Sequence, residues 1–524
     1  MPFLATLLVA FQIMQTPSMP ILEVSDTDPP PAESVSYSAA VRFLEQATFG
    51  PSPSSVSHLL DAGLDRWFQE QFDATPSPIP DAPAGITNLS TVQRNFFDNA
   101  VNRDDQLRQR VAFALGQIWV ISGVKINRPE AFIPYLQLLQ KDVFGNFYDL
   151  MYDITLSPAM GHYLDMVNND KPNPVLGRGA NENYARELLQ LFTIGLEKLN
   201  DDGSVVRDEN GQPVPSYDQE VIEELARAFT GWTYPPAPGQ VSRVHNPAYW
   251  EGPMVAFRSN HDTGVKVLLD GRTLPAGRTA EDDLRDSLRN IFEHPNVGPF
   301  IGRQLIQHLV TSNPSGEYVS RVAAAFNDNG GGVRGDMRAV IRAILLDPEA
   351  RQFDNHRLPE EHSYGHLREP VLFITNLLRS LGATVTDQNN LANFTRSLGQ
   401  NLYYPPTVFN YFAPSYEVPG TGTLGPEFQI LSPANAMARV NFLNRLFFGT
   451  LGGGATLDLT PFLSAASNPT LLVDLVDTTL LHGSMTEPLR ASIRQAVSAT
   501  SDNPTRARTA LYLAAASGQY QVEQ

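Results

Sequence analysis

Apolar residues in this chain recur at helical spacing in one stretch after another, and that periodicity limits the fold more than any other feature. In DQLRQRVAFALGQIWVIS, Leu107, Val111, Leu115, Ile118 and Ile121 lie three or four residues apart, so one face of a helix is buried. The same pattern runs through LDRWFQEQF, TVQRNFFDNAV, PEAFIPYLQLLQKDVF, FYDLMYDITL and DQEVIEELARAFTGW. It returns after residue 278 in TAEDDLRDSLRNIF, NVGPFIGRQLIQHLV, EYVSRVAAAFN, GDMRAVIRAILL and REPVLFITNLLRSLG. Thr279 and Asp282 stand at capping-box spacing in the first of these. Strand signals are confined to DDGSVVRDENGQPVPSY, which reads as a surface hairpin, and to the irregular stretch 233–278. The expected class is all-α: a large multi-helix globular fold with long irregular loops and a few short strands.

At 524 residues with 42% hydrophobic content, the chain has ample material for a core, and 18% charged residues is the balance of a folded protein. Lys and Arg total 38 against 56 Asp and Glu, a formal charge of −18 that argues against nucleic acid and anionic lipid as partners. The absence of cysteine removes disulfides, thiolate metal sites and cysteine nucleophiles. MPFLATLLVAFQIM is too short to span a bilayer and resembles the apolar core of a secretory signal, although no Lys or Arg precedes Arg42. Three regions follow: a signal-like segment and extended leader (1–37), a helical core (38–450), and C-terminal helices beyond the Gly-rich joint at 449–456 (451–524).

Three places carry candidate chemistry. Asn181–Gly195 reads as a helix with Asn181 at its N-cap and Gly195 as its terminator. Tyr184, Leu188, Leu191 and Phe192 share one face, and Asn183, Arg186, Glu187 and Gln190 the other, with Glu182 and Arg186 at ion-pair spacing. Taken alone, that polar face equally fits a solvated surface. The second place is His261-Asp262 with Lys266 four residues on, in the irregular region, suited either to proton transfer or to anchoring the loop. In the third, His362, His366 and Glu369 would share a helical face as zinc ligands if Gly365 did not interrupt them, so no metal is expected. No Walker loop, G-x-S-x-G elbow, H-E-x-x-H or dinucleotide fingerprint occurs, and no cofactor is expected.

Taken together, AVRFLEQATFGPS, LRQRVAFALGQIWV, NENYARELLQLFTIG with ARAFTGW, HDTGVKVLLDG, HPNVGPFIGRQLIQHLVTSNPS and LREPVLF resemble, in order, the bacterial family catalogued as domain of unknown function 1800. The resemblance spans roughly residues 38–450 and implies a secreted or periplasmic protein. It also implies a genomic neighbour, domain of unknown function 1501, that resembles sulfatases. The family motifs fall here on Glu182, Asn183, Arg186, Glu187, His261, Asp262, Lys266, Arg303, Arg368 and Glu369.

Two functions are compatible with these residues. One is a hydrolase acting on a polymer such as a polysaccharide, with Glu187 and Asp262 as its carboxylate pair and His261 and Arg186 tuning them. Glu182, Asn183, Lys266, Arg303, Arg368 and Glu369 would then bind substrate. The other is a non-catalytic partner or export and assembly factor for the sulfatase-like protein, with the same charges in a buried ion network. Either way, the 255–266 loop is expected to cover the polar face of the Asn181–Gly195 helix, with Arg303 or Arg368 as countercharge.

Overall fold

The ends of the helices explain why these stretches fold as they do. Ser36, Ser52, Asp218, Thr279, Ser315, Asp336, Ser432 and Asp502 each accept a backbone N–H from the first turn of the helix that follows. Those donors have no partner inside the helix, so each cap stabilises its helix by about 1 kcal/mol. Proline opens Pro129–Asp142, Pro370–Ser380 and Pro433–Phe448, where its missing N–H costs nothing. The computed structural model describes residues 35–354, 364–386, 388–449, 451 and 455–523, and among them the chain forms 22 α-helices. The fold is all-α. The signal-like segment (through residue 34) and His362 lie outside the described residues.

Among the described residues strands contribute four antiparallel pairs of two residues each. One of them, His366–Leu367 against Val522–Glu523, ties residues near the C-terminus to the start of Pro370–Ser380. The expected surface hairpin is a small meander of three legs. Lys198 N–H donates to Val214 O, Val206 N–H to Lys198 O and Val214 N–H to Val206 O, with left-handed turns at Gly203 and Gly211. No helix of the described residues is long and apolar enough to cross a membrane.

Two apolar clusters fill the interior. The first is built by helices from Tyr37–Ala47 to Met337–Leu346, with Trp119, Phe147, Leu305 and Val340 fully buried. The stripe Leu107, Val111, Leu115 and Ile118 faces into it, as its spacing predicts. The second gathers Phe373, Phe442, Leu443, Val476 and Leu511. It therefore draws on both sides of the boundary at 450/451. Helices beyond the Gly-rich joint complete a core that Pro370–Ser380 and Pro433–Phe448 begin, so the joint divides no core from another. The interior also holds a layer of buried charge, which includes Glu45, Arg110, Arg368, Glu369, Glu427 and Glu523.

Candidate functional site

The Asn181–Gly195 segment stops at Gly195 as its residues predict, but Glu182 rather than Asn181 takes the N-cap position of its helix. Asn181 Oδ1 accepts the Asn183 N–H at 2.9 Å, and Gly195 ends the segment at φ +75°. Between these points a short α-helix, Asn183–Glu187, passes into a π turn, Leu188–Thr193, in which Ile194 N–H reaches back to Leu189 O. Glu182 and Arg186 pair at 2.7 Å and share Gln219, and Asn183 donates to Asp165. Both charged side chains remain about one-third exposed, so the pair contributes little. Glu187 is half-buried, and its Oε2 has no hydrogen-bond partner. Burial pushes its carboxyl above the usual range, and Arg186 only partly opposes this.

The expected convergence does not occur. No Arg, Lys or His of another segment bonds Glu187 among the described residues. Arg303 reaches only Gly203 O, at 3.5 Å, and Arg368 lies in the interior with Glu45. The loop that should have covered the polar face is held elsewhere. Asp262 is gripped by Arg227 through two hydrogen bonds of 3.0 and 3.1 Å, at the C-terminal end of Gln219–Ala228.

His261, Asp262 and Lys266 do meet in one network, completed by Asp283. Lys266 Nζ donates to Asp283 Oδ2 at 2.7 Å, to Asp262 O at 2.6 Å and to Gly264 O at 3.1 Å. An ammonium has three protons, so none is left over. His261 sits between Thr230 O and Asp283, and Arg278 donates to Asp283 Oδ1 at 2.6 Å. Burial alone would raise both carboxyls. The surrounding cations and the hydrogen bonds to them prevail, holding Asp262 and Asp283 below their usual range. This arrangement is saturated, and it anchors the loop.

The third place, Arg368-Glu369, opens onto the buried layer. Arg368 donates to Glu45 at 2.8 Å and to Tyr520 O, with its guanidinium 4.6 Å over the Tyr520 ring. Glu369 precedes Pro370–Ser380, and its carboxylate accepts from Gln117 Nε2 at 3.0 Å and from Gln400 Nε2. His366 is a strand residue, so it does not share a helical face with Glu369. Its imidazole lies 3.3 Å from Glu427 Oε1 and 3.7 Å from Glu523 Oε1, off the line of a hydrogen bond to either. Arg110 donates to His308 O, while its Nε and Nη1 have no hydrogen-bond partner among the described residues.

Electrostatics divides these groups. Burial drives the Glu369 carboxyl up to about 7 against the opposing pull of Arg110 and the Gln117 amide. Glu45 rises to about 7 for the same first reason, with Arg368 opposing. Burial would depress His366, yet Glu427 and Glu523 overcome it and lift the imidazole to about 9. Burial, reinforced by Arg110 and His366, lowers His308 to about 3, so its ring is neutral at pH 7.

A pocket of roughly 490 Å³, open mouth included, meets this layer between Gln106–Ile118, Val297–Leu309 and the 401–433 crossing. Gln117, Gln304, Gln307, His308, Asn410 and Glu427 supply its polar wall. Glu427 Oε2 and Gln304 Nε2 are buried without a hydrogen-bond partner. Asn410, in the left-handed region at φ +66°, donates to Gln117 Oε1 at 2.8 Å and forms a partition with it. Among the described residues no three His, Asp or Glu side chains converge as a metal ion would require.

Of the residues singled out in the sequence, Arg368, Glu369 and His366, the last raised only as a zinc ligand, belong to this layer. Arg110, Gln117, His308, Glu427 and Glu523 carry the rest. Arg110 and Gln117 were legible: seven residues apart, they share a face that overlaps the stripe of Leu107 and Val111, and a cation there must find a partner. Glu427 and Glu523, in an irregular crossing and a two-residue strand, gave no signal.

The family model described as "Protein of unknown function (DUF1800)" matches residues 42–522. The match runs past residue 450 and takes in Tyr520, whose backbone oxygen and ring hold Arg368. No curated protein and no solved structure matches the chain.

Proposed function

The chain belongs to the family described as protein of unknown function DUF1800, and from that premise we propose a secreted or periplasmic hydrolase whose working site is the pocket beneath the 401–433 crossing. Its substrate is a polymer such as a polysaccharide, presented by a chain end. The observation that carries this reading is Glu427: a pocket-lining carboxylate with one buried oxygen that bonds to nothing among the described residues. A free acceptor in a concave polar site is what a water-activating base requires.

In this reading Glu427 Oε2 takes the proton of the attacking water, and the neutral His308 ring orients that water. Glu369, held at about 7, retains a proton over part of the population near neutrality. Glu369 does not itself line the pocket but lies behind Gln117, which donates to it at 3.0 Å, so it reaches the leaving oxygen only if that amide moves aside. Two carboxyls in unlike surroundings divide the base and acid roles. Glu187 and Asp262, the pair drawn from the sequence, lack this support: Glu187 also has a bare oxygen among the described residues but does not line this pocket, and Asp262 is consumed by Arg227. Turnover on a panel of polysaccharides tests the assignment. Glu427→Gln should abolish any hydrolysis the wild type performs, and undiminished turnover overturns the role of Glu427.

A second reading is favoured by the saturation of the His261–Lys266–Asp283 network, which spends every proton on structure. Here the protein is a non-catalytic partner or export and assembly factor for a sulfatase-like secreted protein. Co-expression and co-purification test it, and no association at micromolar concentration removes it.

A further inference from the structure

On the far side of the Gln117–Asn410 partition lies a second cleft, and we propose that it binds an elongated, uncharged apolar ligand such as an alkyl or isoprenyl chain. The cleft is lined mainly by apolar side chains, among them Val92, Phe96, Phe132, Leu136 and Leu139. It runs between Ser90–Asn102, Gln106–Ile118, Pro129–Asp142 and the 402–411 segment. The inference concerns binding alone and stands whether or not the neighbouring pocket is hydrolytic.

The wall fixes the class of ligand. No Asp, Glu, Lys, Arg or His lines it, so it offers a fatty acid or phosphate no countercharge. Its amide N–H groups are already engaged. Gln140 donates to Gln109, Gln109 donates to Asp105, and Gln117 lies between Glu369 and Asn410. The Tyr135 and Tyr411 hydroxyls donate to backbone oxygens. Among the described residues the Tyr403 hydroxyl and the amide oxygens of Asn99, Gln140 and Asn410 are left without a hydrogen bond, whereas their amide N–H groups are engaged. So few groups suit an alcohol or ester at the end of a chain, whereas a sugar would need a partner for every hydroxyl.

Two backbone features point to a cleft kept open. Gly116 lies inside a helix, and a Cβ there would meet nothing closer than Leu139 Cδ1 at 3.5 Å, an ordinary contact. Neither packing nor φ demands a glycine, and in a helix glycine is less stable than alanine. What its missing side chain provides is space on the cleft wall. Tyr403 and Asn410, both lining the cleft, hold φ at +66°, a region that tyrosine rarely adopts. Strain of this kind collects at ligand clamps.

Displacement of Nile red fluorescence by dodecanol and farnesol, with dodecanoate and cello-oligosaccharides as comparisons, tests the proposal on the full chain. Both alcohols should bind, and both comparisons should bind at least about tenfold more weakly, a difference of about 1.4 kcal/mol. Gly116→Leu should fill the cleft and weaken dodecanol by about tenfold or more, whereas Gly116→Ala should change it less than about threefold. Ala112→Leu, one turn earlier on the same wall, should repeat the loss if Gly116→Leu fails to fold. Wild-type affinity in a folded Gly116→Leu or Ala112→Leu overturns the inference, as does absence of alcohol binding or a preference for dodecanoate or the sugars. Loss of turnover in Glu427→Gln with dodecanol binding intact separates this site from the hydrolase reading.

Discussion

Two buried ion networks in this protein are built from the same residue types and end in opposite conditions. Around Asp283, every proton of Lys266 and both carboxylate oxygens are used, and the His261 ring is bracketed by two acceptors. Around Arg110, two guanidinium nitrogens, a Glu427 oxygen and both nitrogens of His366 lack a well-formed hydrogen bond among the described residues. Charge and burial alone do not separate the two. Unspent hydrogen-bonding capacity does, and around Arg110 it lies next to a pocket. A saturated network holds a loop in place, whereas an unsaturated one keeps partners available for something outside the chain.

The comparison breaks most readily at Asp283. Asp283→Ala leaves the buried Lys266 and His261 without their shared carboxylate, while Arg278, 21% exposed, keeps Asp286, and should cost about 3 kcal/mol. Glu427→Gln should cost far less, on the order of 1 kcal/mol, because His366 keeps Glu523 and one of the two Glu427 oxygens had no hydrogen bond to lose. Urea unfolding of both variants measures the difference. Equal losses would remove the distinction between the networks.

The second test is the pH dependence of stability. Glu45 and Glu369 sit at about 7 in the folded chain, above their ordinary value near 4.5, so the folded state holds extra protons between those limits. Stability then falls as pH rises through that window. His366, lifted to about 9 from 6.5, acts in the same sense at higher pH: its contribution is complete below about 6.5 and is lost through 9. Asp262 and Asp283, held low, act in the opposite sense and lose their contribution only below the ordinary aspartate range. His308 and His482, both lowered to about 3 by burial, lose stability as pH falls below 6.5 and oppose the glutamates there. Melting temperature should therefore rise from about pH 8 to about pH 6.5, by an amount equivalent to a few kcal/mol, before levelling and then falling in stronger acid. In Glu369→Gln the rise should be visibly smaller. A wild-type optimum at pH 8 would contradict the interior assignments.

Gly116→Ala sharpens the comparison from the apolar side. The added methyl meets only Leu139 Cδ1, and alanine is favoured over glycine in a helix by about 0.8–1 kcal/mol. A gain of that size in urea unfolding is expected, and a loss would mean that packing does require the glycine.

The helices were legible because each carries its own period and its own cap. The π turn at Leu188–Thr193 was not, because its i+5 bonds depend on what the turn packs against, and that information is not local. The His261-Asp262-Lys266 cluster was legible as a group, but its centre was missed. Asp283, Ser287 and Asn290 form a buried polar line at i, i+4 and i+7 beside the apolar stripe of Leu284, Leu288 and Ile291. A polar line of that kind announces a partner without naming it. Convergence of distant segments was the least legible feature. Arg303 or Arg368 was the expected countercharge for Glu187, whereas Glu45, more than 300 residues before Arg368, holds Arg368 instead.

The smallest effect concerns Glu187, the residue on which the sequence reading first placed catalysis. Its carboxylate is half out of water with one bare oxygen, and the only cation acting on it is Arg186, which is already paired with Glu182. Burial disfavours its charged form, so neutralising the side chain relieves a penalty without removing a partner. Glu187→Gln should leave turnover unchanged and should shift the melting temperature upward slightly at neutral pH. The shift should vanish in acid, where the wild-type carboxyl is itself protonated. A fall in stability at neutral pH would show that Glu187 has a cationic or hydrogen-bonding partner. The contrast between saturated and unsaturated sites would then have to be redrawn with this helix on the functional side.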